Sequence, residues 1–310
     1  MFEIHSISDY IKLLLSFRNE GFDGHKLENC VYYYRGEPED YDAIFGQGSA
    51  GTPGIARNKR LEKETLIFRE CERRLPQEFA RCKSTFEKLA LMQHYMIPTR
   101  LLDITPDSLQ ALFFALYHDS SEGPKPKDDC DSVVLVYEIP KDEIKDYHSD
   151  AVSVVANIAL YPSSKGKLDI SHLHCSKNDR RDFNANWEIQ QLHHEIQAEK
   201  SYFKEWINKD DMESVFCVHP LLDNPRIRSQ QGLFLLFGID GNREKLASIE
   251  TSKNTHIKRK TIRIPAKAKT KLREELLVLG KSVDTVYPDW NGVKDYFQRF
   301  WDKEPKDYYK

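Results

Sequence analysis

The chain has 310 residues, 40% of them hydrophobic and 31% charged, with a formal net charge of −3. That length can bury a sizeable core, and the near-neutral charge excludes a whole-molecule field for polyanions, so a nucleic acid would have to be held by a local basic patch. No apolar run reaches the roughly 20 residues that span a bilayer, the first residues lack a basic leader, and six cysteines without a CxxC pair are expected as reduced thiols in a cytoplasmic protein.

Residues 5–18 have helical spacing, with Ser8 or Asp9 as the expected cap. The run Cys30-Val31-Tyr32-Tyr33-Tyr34 is aromatic and β-branched and predicts a short strand that stops at Arg35-Gly36. A glycine-rich loop at 46–54 follows; it lacks the Gly-Lys-Ser/Thr ending of a phosphate loop. Helical pattern runs from Glu62 to Cys82 with a break at Pro76, and again over Thr85–Tyr95 until Pro98. After the segment Thr99–Thr105, a helix restarts over Asp107–Tyr117, with Asp103 or Thr105 as a possible cap.

Ser132–Ile139 predicts a buried strand. The polar region 150–212, with a helical stretch Trp187–Trp206, is expected to be an insertion. Strands are expected at Val215–His219, Leu233–Gly238 and Thr261–Ile264, a loop at Asp223–Arg228, a helix at Lys267–Leu279 and an amphipathic segment at Val293–Trp301. Strands and helices without βαβ regularity argue for an α+β fold with a mixed, mostly antiparallel central sheet flanked by helices. The whole chain, 1–310, is expected as a single domain: a core at about 30–240, the insertion at 150–212, and a strand and helices at 241–310 completing the fold.

Three clusters carry candidate chemistry. In Tyr34-Arg35-Gly36, an arginine beside a glycine can offer its fork to a phosphate or carboxylate, or simply close a salt bridge. In the segment 93–103, His94, Tyr95, Thr99, Arg100 and Asp103 fall within a few residues of a helix end; Arg100–Asp103 could equally be an ion pair fixing the loop. In the third, Arg226, Arg228, Gln230 and Gln231 lead into an apolar strand, where paired amides suit a sugar hydroxyl or a loop backbone. His172-Leu173-His174-Cys175 and His193-His194 lack the spacing of a metal site, and Cys217 beside His219 has no third orienting group, so no metal and no thiol nucleophile are expected.

Taken together, YRG, then KLALMQHYMIPTRLLDIT followed by ALFFAL, then NPRIRSQQGLF resemble the FRG domain family, with GTPGIARN similar to its Pro-containing segment. Ile104 stands where that family usually has an aromatic residue. The same blocks are more distantly similar to ADP-ribosyltransferases. That resemblance implies NAD as substrate, with Arg35 on its phosphates, Thr99 beside the nicotinamide and Gln230 or Gln231 at the ribose. It also implies cofactor contacts from Tyr34, Gly36, His94, Tyr95, Arg100 and Asp103. A glutamine cannot ionise, so general-base help would fall to Asp103, His94 or the substrate.

The resemblance further implies a toxin or defence effector that modifies a nucleic acid or protein and is neutralised by an antitoxin partner. RNA or DNA would be held through Arg57, Arg60, Lys258, Arg259 and Lys260, a run that reads as readily as a solvated face. A non-catalytic nucleotide- or partner-binding FRG module is the alternative, and a nuclease-like effector lacks clustered acidic ligands.

Overall fold

The computed structural model describes residues 2–22, 24, 29–118, 123–161, 168–173, 180–204, 206–221 and 232–287. Gln230 and Gln231, the loop 223–228, His174 and Cys175, and the segment 293–301 lie outside them. Within them the chain is α+β: two four-stranded, largely antiparallel sheets packed face to face, with helices on both outer faces.

The first sheet has the order β1 (Phe2–Glu3), β8 (Lys258–Ile264), β4 (Ser132–Pro140), β2 (Cys30–Glu37). The second has the order β3 (Leu101–Ile104), β7 (Leu233–Phe237), β6 (Val215–His219), β5 (Lys145–Asp146). Only the β1–β8 and β5–β6 pairs are parallel. Side-chain alternation assigns each sheet two buried faces. Tyr33, Leu135, Tyr137, Leu102, Cys217 and Leu235 fill the space between the sheets. β4 therefore reads as an unbroken apolar run because both of its faces are covered.

On the outer face of the first sheet lie α1 (Ile7–Glu20), α4 (Ser108–Leu116) and α7 (Lys269–Val278), which bring Tyr10, Leu14, Leu112 and Leu272 onto Val134, Val136 and Ile262. On the outer face of the second lie α2 (Glu64–Arg74), α3 (Thr85–His94) and α5 (Asp150–Asn157), where Phe68, Phe86, Leu89, Val152 and Val155 meet Phe216, Val218 and Leu236. α6 (Trp187–Glu199) packs Leu192 and Ile196 against Val154 and Ile158, one layer further out. The 150–212 region thus contributes α5 to the helical layer next to the sheet. Among the described residues no helix is long and apolar enough to cross a membrane.

Several boundaries differ from those expected from sequence. α1 is capped by Ser6, whose side chain accepts from the Asp9 amide, not by Ser8 or Asp9. β2 continues through Glu37, because Arg35 and Glu37 pair with Leu135 and Val133 of β4; Arg35 therefore lies inside the strand and not past its end. Leu101–Ile104, expected only as a connection, is a strand paired with β7, and α4 is capped by Asp107 rather than Asp103 or Thr105. The helix starting at Trp187 stops at Glu199.

The glycine of the YRG triplet has a packing reason. A Cβ on Gly36 would sit 1.9 Å from the Ala111 carbonyl oxygen and 2.5 Å from the Ala115 amide nitrogen, both backbone atoms of α4. Gly36→Ala must therefore push α4 off β2, and overpacking of this kind costs about 1–3 kcal/mol or more. Thermal unfolding should show a strongly lowered midpoint; an unchanged midpoint would mean that α4 does not approach β2 this closely.

Candidate functional site

The two sheets are stitched together at one antiparallel bridge. The Tyr34 amide donates to the Thr105 carbonyl and the Thr105 amide to the Tyr34 carbonyl, both at 2.8 Å. Beside this bridge opens a cavity of about 420 Å³. Its walls come from β2 and the turn after it (Tyr34, Arg35, Gly36, Glu39, Tyr41), the end of α3 (Gln93, His94, Met96) and β3 (Asp103, Ile104, Thr105). The end of α4 and the residues after it (Phe114, Tyr117, His118), the start of β7 (Gly232, Phe234) and Tyr287 complete them.

Arg35 is the one Lys or Arg side chain lining the cavity among the described residues. Its Nε donates to Glu37 Oε1 at 3.2 Å and its Nη1 to the Asp103 carbonyl at 3.0 Å, and the side chain stays 25% exposed. Burial works against the guanidinium charge, but Glu37 and Asp103 outweigh it and raise its pKa above the ordinary value, so Arg35 is a permanent cation. Among the described residues Nη2 has no acceptor, leaving part of the fork available to a ligand. Glu37, 1% exposed, also accepts from the Gly51 amide at 3.2 Å on each oxygen. This explains the glycine-rich loop: Gly51 has φ 69°, and a Cβ there would lie 2.8 Å from the Tyr137 hydroxyl. The loop buries the counter-charge of Arg35.

A short relay orients Asp103. Thr99 Oγ1 donates to Gln93 Oε1 at 2.8 Å, and Gln93 Nε2 donates to Asp103 Oδ2 at 2.8 Å. Asp103 is 49% exposed and lines the cavity, as does Glu39, whose carboxylate lies 3.3 Å from Lys127 Nζ. The cavity thus presents two carboxylates and one guanidinium. Burial pushes the pKa of the Tyr34 hydroxyl up, so that side chain remains neutral.

Of the residues singled out from sequence, Tyr34, Arg35, Gly36, His94 and Asp103 converge on this cavity. Thr99 is buried behind it and acts through Gln93. Tyr95 projects outward at 56% exposure, its ring edge-on to that of His94. Arg100 does not reach the cavity and does not pair with Asp103. It is fully buried and makes a two-point ion pair with Glu64, through Nε at 2.8 Å and through Nη2, while Nη1 donates to the Phe237 carbonyl at 3.0 Å. Gln230 and Gln231 lie outside the described residues, but Gly232 directly after them is on the cavity wall. Cys217 is sealed between the sheets, where burial raises its thiol pKa, while His219 is exposed.

The basic residues do not all share one face. Arg57 stacks on the ring of Tyr41 at 3.9 Å, next to the cavity. Lys258, Arg259 and Lys260 alternate along β8, so Arg259 points to the opposite face from the two lysines. Arg259 is committed to the Ala50 carbonyl and to Glu250.

Site residues not anticipated from sequence are Gln93, Glu37, Glu39, Phe114, Tyr117, His118 and Tyr287. Glu37 had a signal, since it sits two positions from Arg35 on one strand and therefore on the same face. Phe114, Tyr117 and His118 were legible as the end of a helix; Tyr287 lies far along the chain from all of them and had none.

Residues 31–123 match the family model of the FRG domain. That span holds β2, α3, β3 and α4, hence the Tyr34–Thr105 bridge, Arg35 and Asp103. No curated protein and no solved structure matches the chain.

The buried ion pair separates the two arginines by experiment. Glu64→Gln leaves Arg100 as an uncompensated buried cation, a defect that costs about 3–5 kcal/mol. Denaturant unfolding should show a loss of that order for Glu64→Gln and a much smaller one for Gln93→Ala at the cavity wall; equal losses would refute the assignment of Arg100 to the scaffold.

Proposed function

We propose, from the match of residues 31–123 to the FRG family model, that the cavity binds NAD as a substrate and that the protein is an effector resembling an ADP-ribosyltransferase. The observation that carries this reading is the grouping of Arg35 and Asp103 on one cavity wall, 3.0 Å apart through the Asp103 carbonyl, with the carboxylate of Asp103 held by Gln93. The volume of about 420 Å³ is within the usual range for a small-molecule site.

The roles follow from charge. The free part of the Arg35 fork suits a phosphate oxygen. Cleavage of the bond between nicotinamide and ribose sends the bonding pair out with nicotinamide and leaves positive charge on the ribose carbon. The carboxylates of Asp103 and Glu39 would stabilise that charge, a contribution that grows only as the transition state forms. An acceptor oxygen or nitrogen then attacks the ribose carbon and gives its proton to Asp103. Thr99 and Gln93 are positioning residues here: they fix the Asp103 carboxylate without touching substrate. The two-carboxylate balance favours this chemistry over simple anion capture, which would call for more cations.

A second reading, nucleotide binding without turnover, is supported by the nearness of the Asp103 carboxylate to the Arg35 guanidinium, 3.9 Å, which makes that carboxylate a poor base. The two readings part on one assay. With labelled NAD and cellular RNA, DNA or protein, the parent should transfer label or release nicotinamide, and Arg35→Ala should lower the rate roughly a hundredfold. Arg35→Lys should fail to restore it, since an ammonium cannot serve Glu37, Asp103 and a phosphate together. Absence of both label and nicotinamide with every acceptor would remove the transferase reading.

A further inference from the structure

Arg259 and Arg35 belong to one buried network, although they stand on different strands of the first sheet. Arg259 on β8 faces Tyr137 of β4, and Arg35 on β2 faces Leu135 of the same strand. Tyr137 and Leu135 both point into the space between the sheets, so the two arginines share that inner face.

The glycine-rich loop joins them. Arg259 Nη1 donates to the Ala50 carbonyl at 2.5 Å, and the Gly51 amide donates to Glu37 at 3.2 Å on each oxygen. That carbonyl and that amide belong to one peptide unit, which is planar and trans, so they point in opposite directions. Arg259 and Glu37 thus grip the two ends of a single rigid plate. Glu37 in turn accepts from Arg35 Nε at 3.2 Å.

Such a plate can turn over. Rotation of ψ at Ala50 and φ at Gly51 would exchange amide for carbonyl, and glycine tolerates both signs of φ. The flipped plate would aim the Ala50 carbonyl at the Glu37 carboxylate. Glu37 is 1% exposed, so water could not replace the lost donor. A cationic donor on the carbonyl opposes that flip, and charge-assisted bonds of this kind are about twice as strong as neutral ones. The contact is close, since a Cβ on Gly51 would lie 2.9 Å from Arg259 Nη1. The other bond of Arg259, from Nη2 to Glu250 at 3.1 Å, reaches a carboxylate that is mostly exposed and adds little.

We propose that Arg259 is a positioning residue for Arg35. It holds the Ala50–Gly51 peptide in the orientation that gives Glu37 its amide donor, and Glu37 then fixes the Arg35 fork with Nη2 left for the ligand. This rests on the nucleotide reading above and adds how the ligand-binding guanidinium is kept in place. Arg259 itself lines a separate cavity of about 440 Å³, so the site is governed from outside its own walls.

Two measurements on the full chain test the relay: calorimetric titration with NAD, and the rate of phenylglyoxal labelling at Arg35 read by mass spectrometry. Arg259→Gln should weaken NAD binding about tenfold and raise Arg35 labelling about threefold. Arg259→Lys should recover most of both, because an ammonium still donates to the carbonyl, and Glu250→Ala should stay within about twofold of the parent. Arg259→Gln should add no further loss of affinity to Glu37→Gln in a double-mutant cycle. Additive losses would overturn the relay and leave the nucleotide reading standing. So would an Arg259→Gln variant whose unfolding midpoint falls while NAD affinity and Arg35 labelling stay unchanged. If NAD does not bind the parent, the nucleotide reading falls, and the labelling of Arg35 alone decides the role of Arg259.

Discussion

Everything at the site depends on the pair of hydrogen bonds that joins Tyr34 to Thr105. Each adds only about 0.5–1.5 kcal/mol net, so the seam matters for register and not for stability. It holds β2 of one sheet antiparallel to the end of β3 in the other. Arg35 thereby comes within 3.0 Å of the Asp103 carbonyl, although the two residues belong to different sheets. The energy that keeps the sheets together comes from the apolar layer between them, with Tyr33, Leu102, Leu135 and Leu235 at its centre.

Two arginines show how similar partners give opposite roles. Arg100 is completely enclosed, and its carboxylate partner, a third acceptor and the surrounding core leave it no route to a ligand. Arg35 also has two acidic neighbours, but one of them is reached through its backbone carbonyl and the side chain keeps an open edge on the cavity. Burial, more than the count of ion pairs, separates scaffold from site. The relay from Thr99 through Gln93 to Asp103 likewise turns a buried hydroxyl into control over an exposed carboxylate.

The pattern of apolar residues was legible wherever both sides of an element were decided by burial. β4 and β6 appear in the sequence with nearly their full lengths, because their residues are buried on two faces. β3 was not visible: its four residues follow Pro98 and Thr99 and carry one half-exposed acid, so neither alternation nor length marks a strand. At the site, Tyr34, Arg35, Gly36, His94 and Asp103 were recoverable because a family resemblance tied separate blocks together. Arg100 was misplaced because the partner that buries it, Glu64, lies 36 residues earlier and nothing local points to it. Tyr287 was missed for the same reason on a larger scale.

The seam also bears on how far the protein can be trimmed. The span 31–123 contains both of its residues, yet β2 pairs with β4, and β3 with β7, all of whose partners begin at Ser132 or later. A fragment ending at 123 would carry two strands stripped of their neighbours and a cavity lacking the walls supplied by Phe234 and Tyr287. The triplet and its arginine are therefore not a portable cassette: grafted elsewhere, they would need most of this chain to travel with them.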